Sequence, residues 1–174
     1  MPDPAGMAEV TAFIRHDPHD DFRSLLVARN GRLVFEGYFN GHGRDSLHDI
    51  RSATKSFTSA LVGIAIAEAL VDGVHVNVIP SFPTYTPYAN DDARKRAITV
   101  EHLLTMASGL DANVSDPATP GHENRMEKTQ DWIRFALDLP MAGAPGERWA
   151  GSHFHGGAIL GAMGRVRRLR LLLV

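Results

Sequence analysis

The stretch that decides the fold is Arg51-Ser52-Ala53-Thr54-Lys55-Ser56-Phe57, where a serine stands three residues before a lysine. Residues three apart on a helix share one face, so the lysine amine can reach the serine hydroxyl. A serine hydroxyl is a poor nucleophile until a base takes its proton, and a lysine can be that base when burial lowers its pKa. The spacing makes Ser52 a candidate nucleophile and Lys55 its candidate base.

Two interpretations of this spacing remain open on the residues alone. In the catalytic one, the N-terminus of the following helix adds a positive dipole end and backbone N–H groups where an oxyanion develops. In the other, Ser52 caps an ordinary first helical turn and Lys55 is solvated. A two-residue motif does not decide between them.

The flanking sequence predicts a hairpin followed by a mostly helical region. Residues 24–29 and 32–39 are β-rich and flank Asn30-Gly31, the dipeptide that best tolerates positive φ in a tight turn. Residues 57–71 are apolar on nearly every helical face, which predicts a buried helix that stops at Asp72-Gly73. The predicted fold class is an incomplete α+β pattern.

Two further helices are predicted downstream. One begins with Thr99 as its N-cap and ends where Gly109 can adopt the left-handed conformation. The other begins near Thr129 and stops before Pro140, since proline removes a donor and breaks the helix.

Composition excludes several classes of function. The chain has 174 residues, 44% of them hydrophobic, which is enough for one core, and a net charge of -2 argues against nucleic acid as a partner. There are no cysteines, which excludes disulfides, thiolate zinc sites and a cysteine nucleophile. The longest apolar run, residues 60–67, is too short to span a bilayer, and residues 1–6 do not resemble a leader. We therefore expect a cytoplasmic protein without a membrane partner.

Three segments carry a family resemblance. Residues 48–61, HDIRSATKSFTSAL, resemble the nucleophile segment of the β-lactamase-related serine hydrolases, which include class C β-lactamases, family VIII esterases and 6-aminohexanoate-dimer hydrolases. Residues 98–110, ITVEHLLTMASGL, are similar to a helix-and-turn signature of the same group that is structural. Residues 145–149, PGERW, resemble the turn before the family's second catalytic motif. The resemblance covers residues 24–163 and only the first part of a complete enzyme.

This resemblance implies a β-lactamase/transpeptidase-like fold, incomplete here because the late strands are missing. It implies acyl transfer: Ser52 attacks an ester or amide carbonyl, β-lactams included, and Lys55 removes its proton. The expected substrate is a small molecule. No metal and no organic cofactor are implied, and the oligomeric state stays open.

The sequence departs from the family pattern after the third segment. The family's second motif begins with a tyrosine, but residues 150–155 read AGSHFH. His153 or His155 could act as a base, although exposed loop histidines are the alternative interpretation. The late Lys-Thr-Gly or His-x-Gly motif is absent. We expect a partial hydrolase domain over residues 1–164 and an atypical basic and apolar tail over 165–174, from a truncation or frameshift. The alternative function is a catalytically inactive remnant or a non-catalytic ligand-binding fragment.

Two histidine-containing segments are candidates for metal sites. Residues 16–21 contain two histidines and three aspartates, and His153 and His155 have a spacing seen in some metal sites. Neither segment has the further ligands and supporting partners that a metal centre needs. We interpret both as solvated polar loops.

Overall fold

A computed structural model describes residues 3–149. The chain divides into two compact units, Met1–Asp49 and a second unit that begins at Ile50. We call them the N-terminal and the C-terminal unit. The predicted tail over 165–174, and the domain boundary at Gly164, lie outside the described residues. The N-terminal unit contains α1 (Pro4–Arg15), β1 (Ser24–Arg29) and β2 (Arg32–Tyr38).

The predicted hairpin is confirmed. Strands β1 and β2 pair antiparallel, with Arg29 opposite Arg32 across the two-residue turn. Asn30 and Gly31 have φ of +50° and +71°, the pair of positive values that a tight hairpin turn of this length favours. The register shifts by one residue between Val27 and Ala28, which marks a β-bulge.

Helix α1 was not predicted, although the sequence signals it. The side chain of Asp3 accepts hydrogen bonds from the backbone N–H groups of Ala5 and Gly6, and Pro4 is the first helical residue. An aspartate cap followed by proline at the first position is a recognised start signal. Ile14 is the buried residue of this helix.

Up to residue 149, the C-terminal unit is a set of helices and turns around one apolar core. A 3₁₀ turn precedes the longest helix, α2 (Thr54–Ala67), and further short helices follow. In the part of this unit that the structure describes, the core draws on residues from Val62 to Leu139, among them Phe82, Ile98, Leu103 and Leu137. The remaining elements are two 3₁₀ turns (Ile79–Ser81 and Pro83–Tyr85), α3 (Ala93–Arg96), α4 (Val100–Leu104), α5 (Glu123–Met126) and α6 (Trp132–Asp138).

Helix α2 is buried on one face, and the prediction of a helix buried all round was wrong. Thr58, Val62 and Ala65 are buried, and their spacing of four and three residues places them on one face. Phe57 and Ile64 are 63% and 44% exposed. Helix α2 therefore has more apolar side chains than the described part of the chain buries.

The ends of α2 and α4 also differ from prediction, for one physical reason. Ala69 and Met106, not glycines, take the left-handed conformation that ends each helix, with φ of +54° and +57°. After α2, the N–H of Leu70 donates to the carbonyl of Ala65 at 2.8 Å. After α4, the N–H of Ala107 donates to the carbonyl of His102 at 2.8 Å. These bonds form the Schellman arrangement, which stabilises the left-handed residue without requiring glycine.

The described residues thus combine one two-stranded sheet with helices, in agreement with the predicted incomplete α+β class. Among the helices of residues 3–149, none has the length and the apolar character to cross a membrane.

Candidate active site

The structure brings Ser52 and Lys55 into direct contact. The Lys55 Nζ lies 2.9 Å from the Ser52 Oγ and donates a hydrogen bond to it. Ser52 is exposed, and Lys55 is half-buried. A hydroxyl that is open to solvent and touches an amine has the access and the partner that a serine nucleophile needs.

A change from 3₁₀ turn to α-helix produces this contact. Ser52 is the middle residue of the 3₁₀ turn Arg51–Ala53, and Lys55 is the second residue of α2. The N–H of Ala53 donates to the carbonyl of Ile50 at 3.0 Å, which closes the turn. In a 3₁₀ turn, side chains three residues apart lie directly above one another. The local backbone thus places the amine and the hydroxyl on neighbouring turns, one directly after the other in the chain.

The N-terminus of α2 adds a favourable electrostatic environment. Ala53 is the N-cap residue and has no polar side chain with which to cap the helix. The N–H groups of Ala53 and Thr54 donate to carbonyls of the preceding turn, so the contribution of this helix end is the positive end of its dipole. This end of a 14-residue helix adjoins Ser52.

The second segment of the resemblance forms a structural corner. Thr99 is the N-cap of α4, as predicted: its Oγ1 accepts from the N–H of His102 at 3.3 Å, and His102 Nδ1 accepts from the N–H of Thr99 at 3.1 Å. This is a capping box with histidine where glutamate or glutamine is usual, which is why the sequence did not signal it. Gly109 is left-handed, as predicted, with φ of +77°, but it lies beyond the end of α4.

The third segment of the resemblance, residues 145–149, forms a turn, and residue 149 is the last one that the structure describes. The N–H of Gly146 donates to the carbonyl of Ala107, and Glu147 Oε2 accepts from the N–H of Ala144, both at 2.8 Å. The residues that replace the family tyrosine, His153 and His155 included, lie outside the described residues.

One contact near Ser52 was missed by the sequence reasoning. Arg51 Nη2 and Glu123 Oε2 are 3.8 Å apart and form an ion pair between the 3₁₀ turn and α5. The two residues are far apart in the chain, and no spacing rule links them.

No metal site was found in the part of the chain that the structure describes: no group of three or more histidine, cysteine, aspartate or glutamate side chains there could hold an ion. Residues 16–21 lie in this part of the chain, whereas His153 and His155 do not.

The family follows from a comparison with family models. The β-lactamase model matches residues 22–171, which is most of the chain. The protein therefore belongs to the β-lactamase family of serine hydrolases. A comparison with curated proteins gave no match.

Solved structures support the same fold. EstCE1, described as a hydrolase with promiscuous acyltransferase activity, is 20% identical with a TM-score of 0.71, over 98% of this chain and 51% of its own. A D-stereospecific amidohydrolase from Streptomyces sp. is 24% identical with a TM-score of 0.62, over 99% of this chain and 54% of its own. The chain thus has the β-lactamase/transpeptidase-like fold and spans about half the length of these neighbours.

Proposed function

We propose that this protein is a serine hydrolase that acts on an ester or amide bond of a small molecule through an acyl-enzyme on Ser52. The observation that carries the proposal is the 2.9 Å contact between Lys55 Nζ and Ser52 Oγ, at the N-terminus of α2. Family membership supports the same class of reaction.

The chemistry follows from the roles of the two side chains. With its amine neutral, Lys55 accepts the hydroxyl proton as Ser52 Oγ attacks the carbonyl carbon. The carbonyl oxygen becomes an oxyanion, which the N-terminus of α2 stabilises. The tetrahedral intermediate collapses, and the leaving alcohol or amine takes the proton. Water then attacks the acyl-serine, which releases the acid and restores the hydroxyl.

The neighbours favour esters and amides as the substrate class. One is described as a hydrolase with acyltransferase activity and another as an amidohydrolase, and both reactions proceed through attack on an acyl carbon. A strained amide such as a β-lactam belongs to the same class. For this chain, substrate profiling with aryl esters, D-amino acid amides and a chromogenic β-lactam compares the three directly.

The rival function is a catalytically inactive remnant, and a specific observation favours it. The large apolar side chains of Phe57 and Ile64 in α2 are exposed in the part of the chain that the structure describes. Large exposed apolar side chains on one helix are typical of a surface that a partner or a further segment covers. A third reading is a fragment that binds ligand without turnover, and it predicts that Ser52→Ala retains full ligand affinity.

Intact-mass analysis after reaction with a fluorophosphonate tests the proposal. We expect a single adduct, which peptide mapping places on Ser52 and which Ser52→Ala abolishes. The matched control is Ser56→Ala, because Ser56 is also exposed on the first turn of α2 and should not affect the adduct. A chain that unfolds cooperatively but forms no adduct would support the remnant instead.

A further inference from the structure

The residue before the proposed nucleophile has an unusual backbone conformation. Arg51 has φ of +48°, in the left-handed region. An L-residue with a Cβ is disfavoured there, because the Cβ approaches the following carbonyl oxygen. Such a conformation persists only when the surrounding structure holds it in place.

Comparison with the other left-handed residues singles out Arg51. Among the described residues, seven non-glycine residues have positive φ, and four of them are asparagine or aspartate, which tolerate this region. Ala69 and Met106 end helices in Schellman arrangements. Arg51 instead opens the 3₁₀ turn that leads into α2, where no helix ends. Its conformation therefore needs another cause.

The ion pair with Glu123 supplies a candidate cause. Arg51 Nη2 lies 3.8 Å from Glu123 Oε2, and the carboxylate side of the pair is the more buried, with 23% of the glutamate side chain exposed against 62% for the arginine. An ion pair of this exposure contributes a modest free energy, and the strain of a single left-handed residue costs a modest free energy as well. The two effects are of similar size, so the pair can shift the conformation of Arg51.

Glu123 is well placed for this because its own position is fixed. It is the first residue of α5, and the preceding His122 is buried. The ring of His122 is held on both sides, since Nδ1 accepts from the N–H of Asn124 at 3.2 Å and Nε2 lies 3.2 Å from the carbonyl oxygen of Val114. The carboxylate therefore projects from an anchored segment.

We propose that Glu123 is a positioning residue for the nucleophile: by pairing with Arg51 it favours the left-handed backbone of Arg51 and so holds Ser52 within hydrogen-bond distance of Lys55. This rests on the proposed function, in which Ser52 attacks the substrate. In this scheme the effect of Glu123 on the nucleophile passes through its ion pair with Arg51.

The test measures two properties of Glu123→Gln in the full chain. Labelling of Ser52 by the fluorophosphonate should slow about five-fold, through a lower maximal rate at unchanged half-saturating probe concentration. Amide hydrogen exchange at Ala53 and Thr54, whose N–H groups close the turn, should accelerate by a similar factor. A residue that only stabilises the fold would change the melting temperature, but it would not lower the maximal labelling rate at an unchanged half-saturating probe concentration.

Variants at Arg51 separate conformation from charge. Arg51→Ala removes the pair and keeps the disfavoured Cβ, so it should lose as much labelling rate as Glu123→Gln. Arg51→Gly also removes the ion pair, but glycine has no Cβ and adopts positive φ readily, so the loss of labelling rate should be smaller. Equal losses in the two variants would overturn the proposal.

The matched control is Asp91→Asn, which breaks the exposed ion pair between Asp91 and Arg96 elsewhere in the same unit. It should change neither labelling nor exchange at Ala53 and Thr54. If the parent chain forms no adduct, the proposed function fails, and the exchange measurement still decides whether Glu123 holds the turn. Unchanged exchange in Glu123→Gln overturns the positioning role whatever the labelling gives.

Discussion

Lys95 Nζ donates a hydrogen bond to the carbonyl oxygen of Leu137 at 2.7 Å, and Lys95 is fully buried. The same amine donates to the carbonyl of Ala89 at 3.2 Å and lies 5.2 Å from the ring centre of Tyr88. This lysine of α3 therefore links its helix to α6 and to the loop that precedes α3. A buried amine is stable only when such acceptors surround it.

We predict that the stability contributed by Lys95 rises with pH in the alkaline range. Burial lowers the pKa of Lys95 from its ordinary value of 10.5, and the carboxylates of Asp138, Asp91 and Asp92 oppose this shift without cancelling it. Between the lowered pKa and the ordinary one, the unfolded chain binds a proton at this site that the folded chain does not. Stability therefore increases as pH rises through that window.

Denaturant unfolding at a series of alkaline pH values measures this effect, as the difference in unfolding free energy between the parent chain and Lys95→Met. The difference should grow with pH in favour of the parent. Lys128→Met is the control, because Lys128 is exposed. A difference that stays flat or falls with pH would contradict the prediction.

Gly109→Ala should destabilise the protein strongly. The added Cβ would lie 2.6 Å from the carbonyl oxygen of Gly143, which is backbone and cannot rotate away, and φ is +77°. We expect a loss of about 2 to 4 kcal/mol in unfolding free energy. Gly63→Ala is the matched substitution: Gly63 lies within α2, and its Cβ would meet no atom within 4 Å. Urea denaturation should give a gain of about 0.5 to 1 kcal/mol there, and equal effects at both sites would refute the argument.

Two aliphatic side chains of α2 should differ sharply in their contribution to stability. Val62 is 2% exposed and Ile64 is 44% exposed. Val62→Ala leaves a cavity and should cost about 2 kcal/mol, whereas Ile64→Ala should change stability by about 0.5 kcal/mol or less. Chemical denaturation of the two variants checks this. Equal losses would mean that the outer face of α2 is covered in solution.

Local chemistry explains which parts of the fold were predictable. The turn at Asn30-Gly31 and the meeting of Ser52 with Lys55 join residues at most three positions apart, so residue spacing was enough to predict both. The cap of α4 at Thr99 was predicted for the same reason. Asp3-Pro4 carried an equally local signal for α1, which was overlooked.

Tertiary contacts explain what could not be predicted. The charged run over residues 94–96 is typical of a solvated surface, yet Lys95 is buried, because the carbonyl of Leu137, 42 residues further along the chain, accepts a hydrogen bond from its amine. Ala69 and Met106 end their helices through backbone bonds, which a search for glycine does not detect. The pairing of Arg51 with Glu123 has no counterpart in residue spacing.

Lys55→Arg should remove catalysis while it keeps the charge. A guanidinium can still donate a hydrogen bond to Ser52 Oγ, as the amine of Lys55 does, but it stays protonated and cannot accept the hydroxyl proton. We expect fluorophosphonate labelling of Ser52 to fall about 100-fold or more, the usual contribution of a general base. Lys128→Arg, the matched change at an exposed lysine, should leave the rate unchanged. If Lys55→Arg kept the labelling rate of the parent chain, the base would be another group, and the contact at 2.9 Å would serve only to orient the hydroxyl.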